Sequence, residues 1–228
     1  MINQSHIKGD VSPREISAQV QSADLVTDRR ERIIKAAITV FRRDGFHVAT
    51  TREIAEEAGI TQSNIYNYVK SKGDILYLAC EHLASLYHHS LDGALARSDD
   101  PYERIVEGLR AVIEVMFEHK DELQLLYNET HSLERPDRKL ILNSVSRFIR
   151  RFQDLIEDYS KTGGPIRVGN RRLAANLISF VPATLALRWW DLAGSATREE
   201  AERGIFEFIL GGLGIPLPDA VGRERSRG

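Results

Sequence analysis

Cysteine is almost absent from these 228 residues, and Cys80 stands alone. One thiol cannot build a disulfide framework within a chain, and paired-cysteine metal or redox motifs are excluded with it. Long apolar runs are missing as well. No stretch approaches the roughly 20 residues of a bilayer span, and residues 1–27 lack the apolar core of a secretory signal, so no membrane association and a cytoplasmic location are expected. The sequence also holds no G-x-S-x-G, no P-loop and no H-E-x-x-H. His88-His89 and Glu118-His119 have no partners at a metal-ligand spacing. The expectation is a protein that is not an enzyme and uses no cofactor or metal.

Hydrophobic residues make up 42% and charged residues 28%, which excludes a collagen-like or wholly disordered chain. The length suits one large domain, or a small one joined to a larger one. The net charge of −2 conceals a division. Residues 28–73 carry nine Lys or Arg against six Asp or Glu, while the remainder carries 22 against 27. A basic segment beside an acidic one suggests that a single part of the chain meets a polyanion.

Periodicity points to helices throughout, with no convincing run of alternating strand residues. Residues 1–27 read as a flexible arm with a short helix near 14–22. From residue 28, Ile33, Ile34, Ala37, Ile38 and Phe41 recur at three- and four-residue steps as one helical stripe, closed by Gly45. Thr50 and Glu53 form a T-x-x-E capping box for a helix ending at Gly59. Thr61 caps a further helix from Gln62 to about Val69, with Ile65 and Val69 facing inward. Longer helices are expected over 74–98, 102–118, 121–132, 136–161, 169–193 and 197–213, the fifth of these kinked by Pro182. Residues 219–228 read as a disordered tail.

Thr50–Lys72 carries the function. Two short capped helices joined by Ala58-Gly59-Ile60-Thr61 have the layout of a helix-turn-helix, whose second helix enters a DNA major groove. The outward positions of that helix are Gln62, Ser63, Asn64, Tyr66, Asn67 and Tyr68, able to meet base edges or phosphates. Such a helix need not be strongly basic, because phosphate contacts position the module while base contacts specify.

The run from Thr50 to Thr61, followed by Ile65-Tyr66-Asn67-Tyr68-Val69-Lys70-Ser71-Lys72, resembles the N-terminal signature of the TetR family of bacterial transcriptional regulators over about residues 28–75. The resemblance implies an all-α homodimeric repressor. Its three-helix DNA-binding head spans 28–73, and its helical ligand-binding and dimerisation body spans 74–218. It further implies phosphate contacts from Tyr66 and Lys72, with Thr50 and Thr51 touching the backbone. Gln62, Ser63, Asn67 and Tyr68 fall at variable recognition positions, and Arg52 where some members reach a base. The sequence departs from the family at Asn67-Tyr68-Val69, where Tyr-His-Phe is common, which leaves base specificity open. Asparagine can pair bidentately with adenine.

In the body, three clusters suit an effector pocket, which is usually apolar with a few orienting polar groups. The first is Tyr127, Asn128 and His131; the second is Asn176, Phe180 and Thr184; the third is Arg188 with Trp189. Core packing is the competing reading for each. The body is loosely similar to the acyl-CoA-sensing branch of the family through Tyr127-Asn128-Glu129-Thr130 and Arg188-Trp189-Trp190. That similarity implies a phosphate or carboxylate contact from Arg188 or Arg147. A hydrophobic drug-like effector controlling an efflux gene is the alternative, and a helical interaction module without DNA binding is a further one. The broadly apolar stretch from Gly204 to Leu213, with Gly204 and Gly211 seven apart, implies dimerisation through the last two helices and a pseudo-palindromic operator.

Overall fold

The computed structural model describes Arg14, Ile16 and residues 23–218. Among them it contains eleven α-helices and no strand. The chain starts with α1 (Ala23–Asp44), α2 (Thr51–Glu57) and α3 (Gln62–Ile65). It continues with α4 (Lys72–Leu95), α5 (Pro101–Glu118), α6 (Lys120–Glu129) and α7 (Arg135–Lys161). It closes with α8 (Arg171–Phe180), α9 (Thr184–Leu187), α10 (Trp189–Leu192) and α11 (Arg198–Leu213). No helix among the described residues is long and apolar enough to cross a membrane.

The sequence signals explain most boundaries. The α1 stripe of Ile33, Ile34, Ala37, Ile38 and Phe41 is buried throughout. Gly45, at φ 79°, ends the helix in a conformation that only glycine adopts without strain. Asp100 caps α5 by accepting from the Glu103 amide at 3.0 Å, ahead of a first-turn Pro101. Thr197 and Glu200 form a second capping box at α11. That helix stops at Gly214, φ 80°, where an added Cβ would lie 2.6 Å from the Arg167 side chain.

Two expectations about the helices need correction. α1 opens at Ala23, so residues 23–27 are helical and not part of an arm. The rest of the arm and the tail 219–228 lie outside the described residues, as does the short helix near 14–22, apart from Arg14 and Ile16. The long helix expected over 169–193 is broken twice. Pro182 cannot donate to the carbonyl four residues back, and Val181–Ala183 forms a 3₁₀ turn before α9, which itself ends at Leu187.

The chain forms two compact units. One comprises the chain through Ala84 with Gln124–Val145; the other comprises Ser85–Leu123 with the chain from Ser146 onward. A boundary at residue 73 was expected, yet α4 begins inside the first unit. Its first turns bury Ile75, Leu76 and Tyr77 there, each a large side chain worth about 1.5–3 kcal/mol in removed apolar surface. In the second unit Ile105, Leu109, Phe152, Ile156, Ile178 and Leu210 are fully or almost fully buried.

Candidate nucleic-acid interface and effector region

The capping box of α2 is complete. The Glu53 amide donates to Thr50 Oγ1 at 3.2 Å, and the Thr50 amide donates to a Glu53 carboxylate oxygen at 2.8 Å. Accepting from the Thr50 hydroxyl, also at 2.8 Å, and from the Thr50 amide holds the Glu53 carboxyl below its usual range. After Ala58 the chain turns through Gly59 at φ 66°, a backbone conformation that L side chains rarely adopt. Arg32 of α1 reaches across to donate to the Ala58 carbonyl at 3.0 Å, which locks the turn. Thr61 then caps α3 by accepting from the Asn64 amide at 3.3 Å, and buried Ile65 anchors it.

The second helix is shorter than expected. α3 is one turn, and residues 66–68 continue as turns, with the Asn67 and Tyr68 amides bonding three residues back. This shortening has a consequence for Tyr68. Its ring leaves the outward face and is buried at 6% exposure, so the expected outward phenol is corrected to a core side chain. Its carbonyl accepts from Arg30 at 3.2 and 3.3 Å.

Arg52, Gln62, Ser63 and Tyr66 are exposed on α2 and α3 and the turn after them, and Thr50 is exposed as well. Thr51 joins the two helices: its hydroxyl lies 3.0 Å from the Tyr66 hydroxyl and accepts from Gln62 at 3.4 Å. Asn64 and Asn67 are half-buried and bonded to each other at 3.1 Å. Arg52 pairs with Glu56 at 2.9 Å, an exposed contact of little net worth that a phosphate can displace.

Lys72 is bound within the chain. Its ammonium donates to the carbonyls of Phe46, His47 and Ala49 at 2.6, 3.1 and 2.7 Å, and lies 4.7 Å from the Phe46 ring centre. All three N–H groups are therefore directed at the loop between α1 and α2, an anchoring role that competes with the phosphate contact the resemblance implied. The Glu129 carboxylate grips the same loop, accepting from the Phe46 amide at 3.2 Å and from Ser132 Oγ at 3.0 Å. Sequence reasoning missed Arg30, Arg32 and Glu129. Helical periodicity sorts charged residues away from the apolar stripe, and it does not separate a solvated charge from one that binds a distant backbone group.

The proposed effector residues divide between the two units. In the first, Tyr127 and Asn128 on α6 are exposed, with partial desolvation raising the Tyr127 phenol above its ordinary range. His131 is exposed and its carbonyl accepts from Arg138 at 3.4 Å. In the second, Asn176 donates to the Arg172 carbonyl of its own helix at 2.8 Å, and Phe180 is 55% exposed. The Thr184 carbonyl accepts from the Arg188 amide at 2.9 Å, and Arg188 itself is exposed. Trp189 packs edge-on against Phe117 with ring centres 4.8 Å apart, and Arg147 is half-buried. A cleft of about 520 Å³ in the second unit is lined by other residues, among them Arg110, Glu114, Arg203 and Phe206.

The second unit also exposes apolar surface. Leu173, Leu177 and Phe180 form a stripe on α8, and Phe208 of α11 is 70% exposed. Cβ atoms added at Gly204 or Gly211 would meet nothing within 4 Å.

Comparison with known proteins accords with this geometry. Residues 33–77 match the model for bacterial regulatory proteins of the tetR family. Residues 98–213 match the model for the tetracyclin repressor-like C-terminal domain. The HTH-type transcriptional regulator HbdR of Aromatoleum sp. (strain CIB) is 27% identical over 198 residues, covering 87% of this chain and 86% of its own. A bacterial regulatory protein of the tetR family from Rhodococcus RHA1 superposes with a TM-score of 0.74 at 20% identity, over 83% of this chain and 98% of that one. AibR, solved in complex with isovaleryl coenzyme A and operator DNA, superposes with a TM-score of 0.69 at 18% identity, over 79% and 97%. With a DNA-binding helix-turn-helix head and a helical ligand-binding body, this chain belongs to the TetR family of bacterial transcriptional regulators.

Proposed function

We propose that the protein is a homodimeric repressor that holds a pseudo-palindromic operator and is released from it by a small hydrophobic effector, an acyl-CoA thioester. The observation that carries the operator reading is the exposed set Arg52, Gln62, Ser63 and Tyr66, set on two capped helices whose connecting turn is locked by Arg32. These side chains offer one cation and short donors and acceptors, the chemistry that meets phosphates and base edges. Thr50 and Thr51 join them at the start of α2, and Asn64 and Asn67 lie half-buried behind.

The dimer reading rests on Leu173, Leu177, Phe180 and Phe208, an apolar surface that stays in water unless a second copy covers it. Bare Gly204 and Gly211 permit close helix approach. Two-fold pairing would present two heads to successive major grooves roughly 34–36 Å apart.

The effector reading draws on the resemblance to the acyl-CoA-sensing branch and on AibR as a fold relative. Tyr127, Asn128, His131, Arg147, Asn176, Phe180, Thr184, Arg188 and Trp189 remain its candidate contacts. Release acts through the loop between α1 and α2, which Lys72 at the start of α4 and Glu129 at the end of α6 hold from two sides. An effector that shifts the end of α6 relaxes that grip. The shift requires tighter effector binding to the free protein than to the operator-bound one, by roughly 1–3 kcal/mol in common couplings.

The test is a gel shift on the DNA flanking the gene, repeated with acyl-CoA and with free fatty acid. Retardation relieved by the thioester alone is the expected result. Retardation that no acyl-CoA relieves refutes the effector, and no retardation on any flanking DNA refutes the operator reading.

A further inference from the structure

The end of the recognition segment is held by a chain of contacts that leads back to the N-terminal arm. Arg30 donates to the Tyr68 carbonyl, two residues beyond Tyr66, and also to the Ile16 carbonyl. Ile16 is buried at 5% exposure. Two residues earlier, the Arg14 amide donates to the Tyr77 hydroxyl at 2.8 Å, and its guanidinium lies over the Tyr77 ring, 5.6 Å from the centre. The same guanidinium forks between the carboxylates of Asp74 and Asp137.

Both aspartates are buried, at 4% exposure each. Asp74 accepts from the Lys70 and Ser71 amides at 2.8 and 3.2 Å, while Ser71 Oγ accepts from the Asp74 amide at 3.0 Å. The backbone leaving the recognition segment is thus fastened at Tyr68, Lys70 and Ser71, and Arg14 bonds to the aspartate that fastens two of the three. Asp137 stands in the first turn of α7, so one arginine joins the start of α4 to the start of α7. A single-turn α3 has little stability of its own, since helix formation repays its nucleation cost only over longer stretches. Its orientation depends on what fastens its ends.

We infer that Arg14 is a positioning residue for operator binding: by bridging Asp74 and Asp137, with Ile16 held against Arg30, it sets the angle at which Gln62, Ser63 and Tyr66 are presented. Arg14 then works as a strap within the first unit and makes no DNA contact. This inference rests on the operator reading above.

Charge determines how the strap fails. Arg14 is the cation bonded to both buried carboxylates; the neighbouring ionisable groups are Tyr77 and Glu81 on α4, with Arg30 on α1 at the Ile16 carbonyl. Arg14→Gln leaves two buried carboxylates without their cation and should lower the melting temperature. Arg14→Gln combined with Asp137→Asn removes one of the stranded charges and supplies a folded protein without the strap.

The experiment measures melting temperature, then operator affinity and its salt slope, for wild type, R14Q, R14K and the R14Q/D137N pair. We expect R14Q/D137N to melt near wild type yet bind operator weaker by on the order of tenfold, within the range of couplings between sites, with an unchanged salt slope. R14K, which keeps the charge without the fork, falls between wild type and R14Q. Equal operator affinity for R14Q/D137N and wild type overturns the positioning role. A slope shallower by about 0.9 per head overturns it too, because Arg14 would then be a phosphate contact. An R14Q that melts as wild type does, or an R14K no better than R14Q, refutes the charge bridge. A wild-type chain that binds no DNA refutes the operator reading itself and removes the positioning role with it.

Discussion

Replacing Lys72 separates two roles that the same residue could have. Lys72→Met keeps the length and apolar character of the stem and deletes the ammonium that holds three carbonyls at 2.6–3.1 Å. The bonds to Phe46 and Ala49 are part-buried and the one to His47 is exposed. Hydrogen bonds to a charged donor contribute about 1.5–3 kcal/mol each, and carbonyls that share one donor do not add fully. A loss of about 2–4 kcal/mol follows, with the exposed carbonyl recovering water. Urea unfolding without DNA is the direct assay, and the midpoint should fall while the slope holds. Operator binding weakens as well, because the loop fixes the entry to α2, but its salt slope stays as in wild type. A phosphate-contacting lysine gives the reverse: stability within about 0.5 kcal/mol of wild type and a slope reduced by about 0.9 per head. That pattern would refute the anchoring role.

Three further outcomes can be checked. Gly59→Ala places a side chain at φ 66° with ordinary space around it, so the cost is conformational, about 1–2 kcal/mol in urea unfolding; an unchanged midpoint would contradict the turn geometry. Leu177→Lys with Phe208→Glu should yield monomers in sedimentation experiments while leaving helical circular dichroism intact, and an unaltered dimer would place the interface elsewhere. Burial pushes the Cys80 thiol up to about 12, so it stays protonated at pH 8 and should react with iodoacetamide only when urea unfolds the chain. A thiol raised in the folded state adds stability that is fully present below its unfolded value and lost as pH climbs toward 12, so stability should decline above about pH 9.

Local chemistry was legible in the sequence wherever one signal dominated. The T-x-x-E box, Gly45, Gly59 and the five-residue apolar stripe of α1 act within a few residues of themselves, and each stands where its spacing implied. Tyr68 was misread because its exposure depends on where α3 stops. Ile65 and Val69 are buried as the 3.6-residue period requires, yet the helix ends between them and rotates Tyr68 inward. The carbonyl contacts of Lys72 were not legible, because a phosphate and three backbone carbonyls demand the same ammonium. Arg14, Asp74 and Asp137 were invisible for another reason: they lie 60 and 123 residues apart, and no local period links them.

The local charge count also loses its simple meaning. Nine Lys or Arg between residues 28 and 73 suggest a head held to DNA mainly by its charge. Three of the nine are committed inside the chain: Arg30, Arg32 and Lys72 to carbonyls. Arg43 and Arg52 are paired too, but their contacts with Asp44 and Glu56 are exposed and exchangeable. Each neutralised phosphate contributes about 0.9 to the salt slope. Nine cations on each of two heads would put the slope near −16, and six on each near −11. The fold thus predicts a logarithmic salt dependence no steeper than about −11. A steeper measured slope would require Arg30, Arg32 or Lys72 to abandon its partner on DNA. That would free the Tyr68 carbonyl, the turn at Ala58 or the loop between α1 and α2. A cation holding the backbone of a recognition unit cannot also neutralise a phosphate without loosening the part that reads the groove.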